Sequence, residues 1–216
     1  MAQFHNRPIK RRALTVSDHT VAYLRNTAAI AGRLDGAAID AMVRLLADVR
    51  DQGGRLFFLG VGGGAGHASH AVNDFRKIAG IEAYTPTDNV SELTARINDD
   101  GWDMSFARWL EGSRLGARDA VFVFSVGGGD IERDISVILV RALDLARNVG
   151  AKVLGVVGRD GGHTARVADA CVVVPPLDPE AVTAHTEAFQ AVVWHLIVSH
   201  PMLRRQEMKW ESVAPR

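Results

Sequence analysis

Apolar runs of strand length recur along this chain with helix-length stretches between them, and that alternation narrows the fold more than anything else in the sequence. RLFFLGV (55–61), IEAYT (81–85), AVFVFSV (120–126), AKVLGVV (151–157) and ACVVVP (170–175) read as strands. Most are apolar throughout rather than alternating, as strands are when both faces of their sheet are covered. Ser17 to about Arg50 reads as helix, broken near Gly36, and GHASHAVNDFRKIA, VSELTARI and MSFARWLEGSRL follow as helices. ERDISVILVRALDLARNVG is a long helix ended by Gly150, and PEAVTAHTEAFQAVVWHLIVSH (179–200) is one stopped by Pro201. Strands of this kind, alternating with helices, predict an α/β protein with a parallel sheet between helical layers. Ligands of such sheets bind at the carboxyl ends of strands, near a topological switch point.

Two strands end in glycine clusters. FLGVGGGAGHASH and FVFSVGGGD lie about sixty residues apart, each an apolar run closing on three consecutive glycines. Glycine at a strand end permits positive φ and close approach of a ligand to backbone. A helix starting there presents free N–H groups and a positive dipole end, which suit an anion. Gly60-Val61-Gly62-Gly63-Gly64-Ala65 satisfies G-x-G-x-x-G/A, a weak dinucleotide signature on its own. The acid expected about twenty residues on would be Glu82, but Glu82 begins its strand instead of ending it. Tight turning alone also explains one such cluster, and two matched clusters weaken that explanation.

Lys and Arg total 25 and so do Asp and Glu, so no positive field is available for nucleic acid or an anionic membrane. The lone Cys171 excludes an intrachain disulfide and suits a reducing compartment. MAQFHNRPIKRR has no apolar run behind it, and no apolar stretch approaches membrane-spanning length, so the expected location is the cytoplasm. With 216 residues one domain is expected, over 17–200, between a polar N-terminal tail at 1–16 and a C-terminal tail at 201–216.

The polar residues beside the glycines form pairs. His70 and Asp74 stand at i and i+4 on the helix after the first cluster and share a face. Imidazole with carboxylate can hold a divalent metal or move a proton. His67, three residues earlier, is able to join them. Glu187 and His195 are eight apart on the last helix, about 12 Å of rise on nearly one face. Both lie in a helix apolar on several sides, where a charged group is expensive unless paired. His185, nearer that helix's start, reads as facing water.

Taken together these segments resemble the sugar-isomerase (SIS) domain, and within it the phosphoheptose isomerase family, over about 40–200. The resemblance rests on VGGGAGHASHAVNDF, NVSELTARINDDGW, SVGGGD and GRDGGHTARVADACVVVP in one order, followed by the histidine-bearing last helix. It implies a three-layer α-β-α sandwich on a five-stranded parallel sheet, doubly wound and flavodoxin-like. It implies a homo-oligomer, usually a tetramer, with active sites at subunit interfaces, and zinc in some members with no organic cofactor. The implied activity is aldose–ketose isomerisation of a sugar phosphate, sedoheptulose 7-phosphate to a glycero-manno-heptose 7-phosphate, through an enediolate. Asp74 or Glu187 would be the base and His195 the acid, or His70, Asp74, Glu187 and His195 would hold a metal. Substrate would meet Gly62, Gly63, Gly64, Asn89, Ser91, Asn98, Asp99, Ser125, Gly127, Gly128, Gly129 and Asp130.

The chain departs from that pattern where the family grips phosphate with serines. Gly64 stands for the first-loop serine, and in the second loop Gly127 and Asp130 replace two others, leaving Ser125. Asn89 stands where the family has aspartate, and Asp74 is one methylene shorter than the family's glutamate. A carboxylate at the N-terminus of a phosphate-binding helix opposes a dianion, so Asp130 is expected to weaken phosphate binding unless it turns away as a cap. Two other readings remain: a non-catalytic SIS-domain binding or adaptor protein, and an isomerase of a non-phosphorylated or nucleotide-linked sugar.

Overall fold

The computed structural model describes residues 16–206. The tails expected at the two ends lie outside these residues, apart from Val16 and 201–206. Helices α1 (Val16–Ala31) and α2 (Gly36–Asp51) precede β1 (Leu56–Gly60) and α3 (Gly63–Asp74). After β2 (Ala83–Tyr84) come α4 (Val90–Asp100), α5 (Ser105–Gly112), β3 (Ala120–Ser125) and α6 (Val137–Asn148). The chain then runs β4 (Lys152–Val157), α7 (Gly162–Val167), β5 (Ala170–Val173) and α8 (Val182–Ser199). All five strands pair in parallel in the order β2-β1-β3-β4-β5, the flavodoxin-like arrangement.

Strand residues alternate between two apolar layers. Phe58, Phe122 and Phe124 pack with Phe75 and Trp194 under α2, α3 and α8. Phe57, Leu59, Val121 and Val123 pack with Phe106, Trp109 and Leu143 under α5 and α6. Each such side chain taken fully out of water contributes roughly 1.5–3 kcal/mol, so the central strands are the anchor of the fold. The break before α2 is set by Asp35, whose carboxylate accepts from Ala38 N at 3.1 Å as an N-cap.

Three elements differ from the sequence expectation. The helix expected from 132 begins only at Val137, because Asp134 (φ 56°) and Ser136 (φ 48°) are left-handed and interrupt it. Residues 130–135 instead form a tight antiparallel bridge between Asp130 and Ile135. The short helix α7 is absent from the sequence reading; its first amides are occupied by carbonyls of the SVGGGD loop, a tertiary partnership. Beyond α8 the expected tail begins docked: Leu203 is fully buried and Arg205 N donates to Ile78 O at 2.9 Å.

β1 and β3 are neighbours, and from β1 the chain turns towards β2 while from β3 it turns towards β4. Their carboxyl ends are therefore the switch point, and both glycine clusters stand there. Helix α8 lies against α3, bringing the last helix to the first cluster.

Candidate active site

The first corner begins with Gly62, whose φ of 61° turns the chain sharply into α3. Gly64 allows the new helix to lie against the backbone of β3, since a β carbon there would overlap the Phe124 carbonyl. From this fixed start α3 carries His67, His70 and Asp74. Its regular winding ends at Asp74, where a single π turn, Phe75–Ala79, takes over. π turns recur at functional sites because they re-aim side chains.

His70, Asp74 and His195 come together across the α3–α8 contact. Their ligand atoms all lie within 4.8 Å of one another. His70 Nε2 is 3.8 Å and His195 Nε2 3.9 Å from Asp74 Oδ2. Asp74 is buried; its Oδ1 accepts from Asn73 Nδ2 at 2.8 Å, while Oδ2 has no hydrogen-bond partner. His195 Nδ1 lies 2.8 Å from Ala191 O, a carbonyl that can only accept, so Nδ1 donates there and Nε2 is the ring atom towards Asp74 and His70. Buried Trp194 stacks on His195 (centroids 3.5 Å) and meets His70 edge-on (4.8 Å), fixing both rings. Two imidazoles and a carboxylate, with an orphaned buried oxygen between them, suit a divalent metal of zinc's type.

Glu187 does not belong to that group. Two turns of α8 separate it from His195, and its carboxylate lies over Gly63, where a β carbon would stand 2.5 Å from the carboxyl carbon. There it faces a cleft of about 340 Å³ with Ser125, Gly127 and Asp130 of the second corner. His67 lies between the two groups. Burial holds it below the ordinary histidine range, opposed by Glu187 and reinforced by His70 and His195.

The second corner is organised differently. Gly128 (φ 70°) and Gly129 (φ 86°) are left-handed, and their carbonyls face α7. Gly128 O accepts from Thr164 N at 2.9 Å and from Thr164 Oγ1 at 2.8 Å, and Gly129 O accepts from His163 N at 2.8 Å. Ser125 Oγ accepts from Gly128 N at 3.0 Å. Asp130 is not at a helix N-terminus, contrary to expectation. Its Oδ1 accepts from Glu132 N (3.0 Å) and Arg133 N (3.2 Å), so it caps the turn at 130–135.

Other expected residues lie elsewhere. Gly62 and Gly63 form the lip of α3, and Gly64 and Gly127 line the cleft. Asn89 caps α4 through Glu92 N at 3.3 Å and borders a separate groove beside Tyr84 and Trp109. Ser91, Asn98 and Asp99 are exposed on α4 and line none of that cleft. His185, expected to face water, is buried and stacked on Tyr23 at 4.3 Å, because α1 lies over the start of α8. Arg133, Ser136, Arg159, Thr183 and Gln190 also line the cleft, and sequence reasoning missed them. Gln190 had a signal: it lies one turn beyond Glu187 on the same helix.

No family model matches the chain. It is 36% identical over 151 residues to the phosphoheptose isomerase of Chlorobium phaeobacteroides, covering 66% of this chain and 63% of that protein. To the phosphoheptose isomerase of Mycobacterium bovis it is 35% identical over 164 residues, 73% of this chain and 76% of that one. It is also 31% identical over 202 residues to the lincomycin biosynthesis protein LmbN of Streptomyces lincolnensis, 87% and 72% of the two chains. Among solved structures it is similar in fold to phosphoheptose isomerase GmhA from Neisseria gonorrhoeae, with a TM-score of 0.73 at 22% identity over 85% of this chain and 98% of that one.

Proposed function

Because the chain belongs to the phosphoheptose isomerase family, we propose that it interconverts an aldose and a ketose phosphate, with sedoheptulose 7-phosphate as the ketose. The observation that carries this reading is the carboxylate of Glu187 facing a sugar-sized cleft, on the same helix as His195 of the His70–Asp74–His195 group. Glu187 takes the proton from C1 of the ketose and returns it to C2 through an enediolate. The His195 imidazole carries the accompanying proton from O1 to O2. Asp74, buried on α3 with Oδ1 bonded to Asn73, lines none of that cleft. Alternatively, His70, Asp74 and His195 would hold a divalent metal, zinc by donor type, with nickel or iron also compatible, and His195, its Nδ1 taken by Ala191 O, would then relay no substrate proton. When bound, the metal polarises the hydroxy-carbonyl unit of the substrate.

The chain acts as an oligomer in this reading, a tetramer by family resemblance. Val21 and Leu24 of α1 are 64% and 61% exposed, and Val192 and Leu196 flank His195 on the open face of α8. Ser91, Asn98 and Asp99, away from the cleft of their own chain, would serve a site from a second copy or not at all. The replaced serines of the second corner favour one alternative, isomerisation of a different sugar, non-phosphorylated or nucleotide-linked.

The test is turnover of sedoheptulose 7-phosphate followed by NMR, with bound metal measured on the same preparation. Glu187→Gln should lower kcat by about 10²–10⁴-fold while ligand affinity changes little. The preparation should scatter light as a species larger than the 23.3 kDa chain. Full turnover in the glutamine variant would remove Glu187 as the base. No turnover by the wild type in the presence of zinc, nickel or iron would pass the reading to the other sugars.

A further inference from the structure

The cleft beside Glu187 carries two cations that neither the fold nor the proposed proton transfer employs. Arg133 comes from the turn after the second glycine corner and Arg159 from the turn after β4, and both line the cleft. Three carboxylates line it too, so charge alone does not decide what the cleft accepts. Their commitments do. Asp130 is bonded to two backbone amides, Asp160 Oδ1 accepts from Gly162 N at 3.2 Å, and Glu187 is pressed over Gly63.

The arginines are uncommitted by comparison. Arg133 has one long ion pair, 3.6 Å to Asp130, and its side chain is 75% exposed, an arrangement that holds little. The Arg159 guanidinium has no hydrogen bond or ion pair among the described residues. Arg159 also has φ of 51°, at a turn closed by Gly161 N donating to Gly158 O at 2.9 Å. Glycine or asparagine sits in that conformation without penalty and arginine does not. Strain of this kind points to a use for the side chain.

We propose that Arg159 and Arg133 hold the phosphate end of the substrate, doing by charge-assisted guanidinium contacts what hydroxyls cannot do in a corner built as SVGGGD. The proposal rests on reading the cleft as a phosphosugar site. Guanidinium groups present planar forks of N–H donors that match phosphate oxygens, so two of them suit a dianionic phosphomonoester. Asp130 then serves the phosphate indirectly: by capping its turn it fixes the backbone from which Arg133 reaches out.

The experiment is calorimetric titration of the full chain with sedoheptulose 7-phosphate, sedoheptulose and inorganic phosphate, at low and high salt. The variants are Arg159→Asn, Arg133→Gln and both together. Asparagine suits the left-handed backbone, so Arg159→Asn should melt at the wild-type temperature or above it, and lost binding cannot then be assigned to lost fold. The double variant should bind sedoheptulose 7-phosphate and inorganic phosphate at least tenfold more weakly, with a shallower salt dependence, and sedoheptulose as the wild type does. Wild-type affinity for the phosphates in the double variant overturns the proposal, and so does failure of the wild type to bind either phosphate. If the wild type binds inorganic phosphate through these arginines but not sedoheptulose 7-phosphate, the arginine site stands and the heptose reading falls.

Discussion

The same four residues, Val-Gly-Gly-Gly, succeed β1 at 61–64 and close β3 at 126–129, and they do different things. After β1 the glycines become the first turn of a helix, with only Gly62 at positive φ. After β3, Gly128 and Gly129 are both left-handed, and the next helix waits until Val137. The residue after the glycines decides between the two outcomes. Ala65 continues a helix; Asp130 caps a turn and pairs with Ile135. The surroundings decide as well. The first corner meets Phe124 and Glu187, while the second meets the start of α7, whose amides need acceptors. Identical backbone freedom thus serves once to start the helix that carries His70 and Asp74 and once to build a wall of the cleft.

The largest effect that would break this contrast lies at Gly63. Its backbone is helical, so alanine is acceptable in φ, but the added carbon displaces the Glu187 carboxylate. Gly63→Ala should lower kcat by about 100-fold with the melting temperature nearly unchanged, since small misplacements of a reacting group cost rates of that order. Unchanged turnover would mean that Glu187 is free to move and that the first corner does not set its position.

A smaller effect separates strain from crowding. Gly62 and Gly128 both have positive φ, but a β carbon at Gly62 meets nothing, whereas at Gly128 it overlaps the Gly161 carbonyl. Gly62→Ala should cost about 2 kcal/mol in denaturant unfolding, backbone strain alone, because φ 61° with ψ −123° lies outside the left-handed well that alanine can enter. Gly128→Ala should cost about 3 kcal/mol, because a packed loop must also shift. Equal losses would show that the second corner yields easily.

The smallest effect concerns Asp130. Asp130→Asn keeps the capping oxygen and removes the charge, so phosphate affinity should rise severalfold at low salt and return towards the wild-type value at high salt. Asp130→Ala removes the cap, costs about 1 kcal/mol of stability and lowers affinity. If both variants tighten binding alike, the carboxylate opposes the ligand and its capping role is minor.

Much of this molecule is legible because its signals are local. Five apolar runs became five strands, and His70 with Asp74 at i, i+4 could only share a face. The position of His195 beside them depends on α8 crossing α3, which the family resemblance supplied and helical periodicity did not. Glu187 shares nearly one face of α8 with His195, but eight residues of helix set it about 12 Å along the axis, outside the His70–Asp74–His195 group. The illegible features are those whose partners are distant in sequence. Asp130 reads as a charge against a dipole until its helix proves to begin seven residues later. Nothing in HAVNDFRKIAG marks a π turn, and a left-handed arginine at 159 contradicts every local preference. His185 reads as solvated because its neighbour Tyr23 lies 162 residues earlier.

The carbonyl of Gly128 receives both donors of Thr164, and the backbone of Gly127 and Gly128 touches that of Gly161 and Gly162. The walls contributed by β3 and β4 are therefore one rigid piece before any ligand arrives. A sugar entering such a cleft orders side chains but not main chain, and most of the conformational entropy has already been given up in folding. Amide hydrogens of Gly128, His163 and Thr164 should then exchange about as slowly with the cleft empty as with it filled, because ligand binding adds nothing to their protection. In the phosphosugar site we propose, discrimination between sugars would fall to how long each one stays, since a preformed wall admits them all at similar rates.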